Sequence, residues 1–598
     1  MDRRKARTVP VLLFFCGLTF LILHPLIWHI DQLPAGGDAY EYAWKLWWVQ
    51  RALFETGESP WFAPHLYHPF GYSLCYGEIT PTNTVLAAPL TRLLGEAITY
   101  NLIVLSSTAL SGFGMFLLTR EVTGSTRAGL FSGILFTLTP YRRVRLGHLN
   151  LIDTQWLPLC LYFLERLLRT GRRRHALAAG ATFALNGLAS WYYAAVGTAT
   201  AITWGIFRLR NGMVPLKELR VGVLLFGLTA SLLIIPFLLP YLSITDEPTW
   251  TAPLEFADMF SAGLTDYVLP NPFNPLWGKI VRQRAFGSGE ALECALGWGI
   301  VAWTFGLYAL RKENRARAAP WLAMVLLGVT LSMGLTFHLI RGVRVTIPAP
   351  APVTTAWNGL LNFVALRVSL LHEPFVLGAP DGLVIPMPAL LVRWFVPMVG
   401  RMRTWTRWGI AALVGATVLA GQGAMTWYHR EIAPRRSHLG RQMAWTLAVG
   451  VALVELWWCP PVPHDPSPVR PVDIWLRLQE PTGAIIQYPL NSAIQPIQFA
   501  YSRAHGWPMV HAYGSYFSFT FPSRHPELLA FPDLRALETL GRLDVHYILI
   551  ETAPPYTQDA ESLLQRMADV PCLQKVTTQG TIEVYKLASV PPCGSGNP

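Results

Sequence analysis

Asp38 follows Gly36 and Gly37 directly in "AGGDAYEYAWKLWW", with Glu41 one helical turn on. A carboxylate on such a turn can take the proton of a hydroxyl as that hydroxyl attacks another atom. The same pair fits a capping box, in which Asp38 accepts from a backbone N–H and Glu41 reaches back. Capping accounts for Glu41 in full and for Asp38 less well. Other polar candidates are Glu78 in "CYGEITPTN", His148, Asn150 and Asp153 in "GHLNLIDTQWLPL", Tyr192 and Tyr193 in "SWYYAAVG", and Asn271 in "DYVLPNPFNPLWG". Two arginine groups join them: Arg142, Arg143 and Arg145 in "PYRRVRLGHLN", and Arg401, Arg403 and Arg407 in "RMRTWTRWG". The arginine fork holds phosphate oxygens and stabilises charge developing on a phosphate leaving group. Several of these residues have plain structural uses. Asn150 suits a helix cap, Asp153 the first turn of a helix, and the two tyrosines an aromatic belt. His148 has no such default role.

The elements that must position these residues are apolar. The chain has 598 residues, 52% of them hydrophobic and 14% charged, with a mean hydropathy of +0.33. A soluble chain carries about a quarter charged residues. Uncharged runs such as "VLLFFCGLTFLILHPLIWHI" and "VGVLLFGLTASLLIIPFLLPYL" approach the ~20 residues that cross a bilayer as a helix. The fold class is therefore mainly α, a polytopic membrane helix bundle. "MDRRKARTVP" and its apolar run lack a small-residue cleavage site, so they read as an uncleaved first span rather than a secretory signal. The formal charge of +12 does not point to nucleic acid, because it is spread in short clusters between apolar runs, as a topology signal is.

Positive-inside reasoning orients the bundle. Basic clusters lie at Arg3 to Arg7, Arg120 to Arg127, Arg169 to Arg174, Arg208 to Arg220, Arg311 to Arg317 and Arg430 to Arg441. A cytoplasmic N-terminus and spans near 9–30, 100–119, 127–140, 151–168, 176–190, 193–207, 219–242, 291–310, 319–339, 408–427 and 441–458 return each cluster to the cytoplasm. That makes about eleven helices in a domain covering 1–458. Arg142, Arg143 and Arg145 break the rule by falling outside. A lipid phosphate at headgroup level fits them, and a miscounted helix is the alternative.

The first outer loop is 31–99, and its segment 39–54 is aromatic and amphipathic, as in an interfacial helix. A Pro-rich linker at 459–472 leads into a small α/β domain at 473–598, extracytoplasmic by this topology. "GAIIQYPL", "DVHYILIE" and "TIEVYKL" read as its strands. The seven cysteines show no zinc-type spacing. Cys572 and Cys593 either pair outside the cytoplasm or remain unlinked thiols.

A carboxylate, a histidine and two arginine groups on one side of a membrane meet two needs at once. They offer a base for an acceptor hydroxyl and a hold on a phosphate leaving group. On "GGDAYEY", the helix behind it, about eleven spans and the extracytoplasmic C-terminal domain, the chain resembles the C-type superfamily (GT-C fold) of membrane-embedded glycosyltransferases, which use polyprenyl-phosphate sugars. It is most similar to bacterial members whose landmarks match "LYHPFGYSL", "GHLNLIDTQWLPL", "SWYY", "PNPFNP" and "RMRTWTR".

The resemblance implies inverting transfer of a hexosyl or pentosyl group to an extracytoplasmic acceptor at the plasma membrane. It makes Asp38 the catalytic base, with His148 beside it. Arg142, Arg143, Arg145, Asp153, Tyr192, Tyr193, Asn271, Arg403, Arg407 and Glu78 are then expected at the substrates. Some members bind a divalent cation, Mg or Mn, through a further acidic motif; here no DxD or adjacent acidic pair follows Asp38. Trp405 also stands where relatives would carry a proline. Two other readings stay open, a transporter or flippase of lipid-linked glycans and a non-catalytic assembly protein. Against the former, no internal repeat is evident and the charges sit at the ends of spans. In the latter, Asp38 only caps its helix.

Overall fold

The computed structural model describes residues 8–208, 216–242, 253–287, 290–514 and 525–587. Helices stand at each predicted apolar run: Thr8–Trp28, Glu96–Thr123, Thr126–Leu138, Trp156–Thr170, Arg173–Ala189, Trp191–Arg208, Leu216–Leu242, Ile300–Ala309, Arg315–Ser332, Gly409–Trp427 and His438–Leu456. Among the described residues, four segments are long and apolar enough to cross a membrane: Thr8–Trp28, Glu96–Thr123, Lys217–Leu242 and Trp405–Ile432. Gly409–Trp427 forms the centre, buried from Gly409 to Ala424. Its neighbours approach it backbone to backbone where side chains are absent. Gly328 meets Ala412, Gly415 meets the Trp321 carbonyl, and Gly423 meets the Phe305 carbonyl. Small residues at such crossings are how helices associate when lipid is as apolar as leucine.

Two helix starts differ from the predicted ones, and both differences expose chemistry. The fourth helix begins at Trp156 rather than 151. Pro158 has no N–H for a carbonyl one turn back, so it belongs in a first turn, and Asp153 is left in the preceding link. The eighth helix begins at Ile300 rather than 291. Gly299, at φ +84°, starts it, and Gly297 passes too close to the Leu269 carbonyl to carry a Cβ. Glu290–Cys294 is instead a separate 3-10 turn, so Glu293 stays outside the helix.

Four strands, β1 (Ala484–Tyr488), β2 (Val545–Glu551), β3 (Leu573–Gln579) and β4 (Ile582–Leu587), form a sheet in the order β1-β2-β4-β3. The β1/β2 pair is parallel and the other two are antiparallel. Ile485, Ile548, Leu549 and Val584 of this sheet share one apolar core with Trp44, Trp48, Leu66, Tyr67 and Tyr72 of the first loop. Backbone bonds stitch the two, His68 N–H donating to Met509 O at 2.8 Å and Met509 N–H to His65 O at 2.9 Å. The Pro-rich stretch is pinned as well, through paired backbone bonds between Leu33 and His464. Helix Ala39–Arg51, expected flat in the interface, is buried on nearly every side. Its aromatic face fills that shared core instead of facing lipid. Cys572 is disulfide-bonded, and Cys593 lies outside the described residues.

Candidate active site

Asp38 does not cap its helix. Gly37 takes the turn at φ +62°, which leaves Asp38 with helical backbone, φ −57° and ψ −16°, and no side-chain cap bond. An N-cap side chain needs an extended backbone to fold onto the first free N–H groups. The predicted capping box is therefore absent, and Glu41 bonds elsewhere. Its carboxylate meets Lys45 Nζ at 2.6 Å, and the same ammonium donates to the Glu78 carbonyl at 2.9 Å. Both side chains of this pair are buried.

The Asp38 carboxylate is consequently turned off the helix. Its Oδ2 lies 2.9 Å from His148 Nε2, and its Oδ1 accepts from the Tyr513 hydroxyl at 2.9 Å. Burial works to raise the Asp38 pKa, but the hydrogen bond and charge of His148, then Tyr513 and Arg403, outweigh it. The carboxyl is held well below the usual range, so Asp38 is ionised at any physiological pH. It remains reachable, with side-chain exposures of 28% for Asp38 and 22% for His148.

A second carboxylate lies behind the histidine. Glu293 Oε1 is 3.8 Å from His148 Nε2, and Oε2 is 2.5 Å from Arg145 Nη1. Burial raises the Glu293 pKa, and Arg145, Arg407 and His148 together bring it down to about 2. Arg145 is buried, donates to the Glu293 carbonyl at 3.1 Å and stacks 4.8 Å from the Tyr141 ring. Arg407 differs from it. Its guanidinium is buried over the Tyr192 ring at 4.3 Å, and among the described residues it makes no direct ion pair, with Glu293 and Glu78 within electrostatic reach. Arg403 lies 5.7 Å from the Phe256 ring and within electrostatic reach of Asp38. The arrangement can ionise a base and orient it from two sides, with the Arg403 cation within reach of it and Arg407 within reach of Glu293.

The other predicted residues do not converge here. Arg142, Arg143 and Arg145 hold three separate places, not one phosphate. Arg142 is buried and donates to Ser111 Oγ at 2.8 Å, Thr108 Oγ1 at 3.0 Å and the Ile152 carbonyl at 3.3 Å, and also to Thr154. Arg143 donates to the Cys459 carbonyl at 3.1 Å and stacks on Phe273. Glu78 caps the helix that starts at Trp191, accepting from its N–H at 2.9 Å, from Ser190 Oγ at 2.9 Å and from Asn150. Asp153 is buried and accepts from Gln155 at 3.0 Å. Tyr193 donates to the Leu151 carbonyl at 2.6 Å. Asn271 donates to the Leu456 and Trp457 carbonyls at 2.9 and 3.0 Å, closing the end of the last apolar helix.

Sequence reasoning missed Glu293 and Tyr513. A carboxylate inside a supposed span is itself a functional flag, and "ALECALGWG" carried that signal. Tyr513 left none, since it meets Asp38 across 475 residues of chain. Among the described residues no three His, Cys, Asp or Glu side chains form a metal site.

A family model described as "Domain of unknown function (DUF6311)" matches residues 8–360. No curated protein matches the chain. Among solved structures, a mutant of arabinofuranosyltransferase AftD from Mycobacteria is similar with a TM-score of 0.54 and 15% identity, covering 98% of this chain and 42% of that one. The Archaeoglobus fulgidus oligosaccharyltransferase tethered with an acceptor peptide gives 0.50 and 13%, covering 97% of this chain and 74% of that one. The chain thus spans well under half of AftD. At such identities the likeness is one of fold, that of the C-type membrane glycosyltransferases. With more than half of its length matched by the family model, this protein belongs to the DUF6311 family.

Proposed function

We propose that the protein is an integral membrane glycosyltransferase that moves a sugar from a polyprenyl-phosphate carrier to an extracytoplasmic acceptor, with Asp38 as general base. The observation that carries this reading is the Asp38 carboxylate itself, freed from capping and held by His148 and Tyr513 at 2.9 Å each. An ionised, oriented and still reachable carboxylate has no structural duty to its own helix.

In the reaction, the acceptor oxygen attacks the anomeric carbon and gives its proton to Asp38. The bond from that carbon to the phosphate oxygen breaks, and its electron pair leaves with polyprenyl phosphate. In-line attack inverts the anomeric centre. His148 and Tyr513 fix the plane of the carboxylate, the first of them backed by Glu293 and Arg145. Arg407, with Arg403 near it, takes the developing negative charge of the leaving phosphate. This reading prefers Arg407 and Arg403 to Arg142, Arg143 and Arg145, whose guanidiniums bond to Ser111, Thr108 and Thr154, to Cys459 and to Glu293. No step runs through a metal ion. In this reading the N-terminus is cytoplasmic and the C-terminal unit extracytoplasmic, at the plasma membrane.

The test is a transfer assay with the full chain in proteoliposomes and a panel of polyprenyl-phosphate-linked hexoses and pentoses. Release of polyprenyl phosphate is expected from the wild type and not from a folded Asp38→Asn variant, since an amide cannot take the proton. Equal release by both proteins would remove Asp38 as base. Movement of intact donor across the bilayer without release would mark a flippase.

A further inference from the structure

Between helices Arg315–Ser332 and Gly409–Trp427 the chain forms elements that no apolar span accounts for. Strand His338–Ile340 pairs with Val343–Arg344, and Thr346–Pro348 pairs with Gly382–Val384. Helix Ala351–Phe363 runs on through a π turn at Val364–Val368, and Pro388–Phe395 is a second helix. The first helix reads "APVTTAWNGLLNF", without one charged residue.

A helix on a water-soluble protein hides its apolar stripe and shows its polar one. This helix does the reverse. Thr354 donates to the Ala351 carbonyl at 2.9 Å, Trp357 Nε1 to Val384 O at 2.9 Å and Asn358 to Ala379 O at 3.0 Å, while Asn362 accepts from Phe375 N–H at 3.0 Å. Each of these bonds is made to the protein's own backbone, and Thr355 is the one polar side chain of the helix left exposed. Val353, Leu360 and Phe363 face outward instead, at 48%, 52% and 58% exposure.

The neighbouring pieces follow the same rule. Arg341 is tied inward to Asp266 at 2.6 Å, Arg344 to Asp258 at 2.7 Å, and Arg393 to Glu373 at 2.5 Å. Ile340, Val343, Ile347, Leu391 and Phe395 are exposed. The outward residues are predominantly apolar, and the charged side chains that stay exposed, Arg344, Arg367 and Asp381, are few; large exposed apolar patches mark a contact with lipid or a partner. Helix Pro388–Phe395 packs on Arg315–Ser332, a helix whose own Leu326 is exposed. The face thus continues onto the exposed apolar side of that helix. At about 20 Å the first helix is too short to cross a ~30 Å hydrocarbon core. Arg367 closes its π turn with an exposed side chain, placed to reach a headgroup.

We infer that residues 338–398 are an inside-out segment immersed in one leaflet, its outward face in contact with lipid hydrocarbon. The inference needs the membrane setting but not glycosyl transfer. Its consequence for the site is mechanical. The Arg393 guanidinium also bonds the Gly400 carbonyl at 3.4 Å, so the immersed segment fixes the depth of the Arg403 and Arg407 stretch that follows.

The experiment is nitroxide accessibility in the full chain reconstituted in nanodiscs, with the exposed Cys16 and Cys459 changed to serine. Labels go singly at Leu360→Cys, Phe363→Cys and Leu391→Cys. Leu228→Cys, on the exposed face of a spanning helix, is the lipid reference, and Gln574→Cys, on the sheet, is the water reference. Oxygen should relax the three labels as strongly as Leu228→Cys, and a water-soluble nickel chelate should relax them at least threefold less than Gln574→Cys. Nickel relaxation equal to Gln574→Cys would place the face in water and overturn the inference. Protection from both agents would mean that protein covers it, a second copy included, and would overturn it too. Three separate positions keep the test decisive where one variant folds poorly, and the result does not depend on whether transfer is observed.

Discussion

At the scale of single residues, Asp38 and Glu41 exchange the roles that a capping box assigns them. Glu41 is the structural member, because its carboxylate neutralises Lys45 in a buried pair. Removing one partner of such a pair costs about 3–5 kcal/mol, since the other charge stays buried. Glu41→Ala should therefore lower the melting temperature sharply, whereas Asp38→Asn, in a half-exposed site, should lower it by less, losing the charge paired with His148, and should abolish transfer. A thermal melt and a transfer assay on the two variants separate the roles. Acid should act on the same site. The carboxyls of Asp38 and Glu293 both have pKa values depressed below their ordinary values of 3.8 and 4.5. The stability they contribute is fully present above those values and is lost as pH falls toward the folded ones, which for Glu293 is about 2. Melting temperature should hold constant from pH 7 to about 5 on this account and fall between about pH 4.5 and 2. Glu293→Gln should be less stable at neutral pH and show a shallower acid loss. Asp38 and His148 could be found in the sequence because each sat in a polar stretch with little else to do. Glu293 was hidden within an apolar run whose helix begins at Ile300.

At the scale of elements, the apolar runs were enough to place the helices, since burial or lipid contact rewards any long uncharged stretch. Their ends were not, because a helix stops where glycine and proline geometry and distant caps decide. Two residues expected at the substrates make bonds of that kind. Glu78 closes the start of helix Trp191–Arg208 from across the chain, and Asn271 with Asn274 closes the end of His438–Leu456. A lost cap costs about 0.5–2 kcal/mol. Glu78→Ala and Asn271→Ala should each lower stability by about that much while donor affinity per folded molecule is unchanged. Arg407→Ala should act on donor binding instead. It deletes a buried cation that makes no direct ion pair among the described residues, so the melt should fall less than for Glu41→Ala. Donor binding should weaken by about 1.5–3 kcal/mol, the worth of a hydrogen bond to a charged group. Titration of a fluorescent polyprenyl-phosphate analogue measures both effects against the wild type.

At the scale of the whole molecule, the polar C-terminal residues and the first loop are one folded body rather than a domain on a tether. Their common core and the bonds between His65, His68 and Met509 follow from strands and loops that lie hundreds of residues apart. Hydropathy and spacing carry no record of such pairings, which is why the strands at 484–488, 545–551 and 582–587 were legible while their contact with the first loop and Asp38 was not. The site depends on that contact. Residues 65–72 hold the 509–514 segment, with the Tyr67 hydroxyl bonded to the Ala512 carbonyl at 2.6 Å, and the segment delivers Tyr513 to Asp38. A chain ending at 472 would leave Trp44, Trp48, Tyr67 and Tyr72 bare. It should aggregate or lose the first loop to protease, so deletion cannot report on catalysis. Tyr513→Phe can. It keeps the ring and its place against Phe499, and it removes only the donor to Asp38. The carboxylate then keeps His148 alone and can turn about that one bond. Transfer at saturating donor should fall by about tenfold, as expected for a hydrogen bond worth ~1.4 kcal/mol in the transition state, while donor KM and melting temperature stay at the wild-type values. An unchanged turnover in a protein that still loses transfer through Asp38→Asn would leave the base in place and reduce Tyr513 to packing.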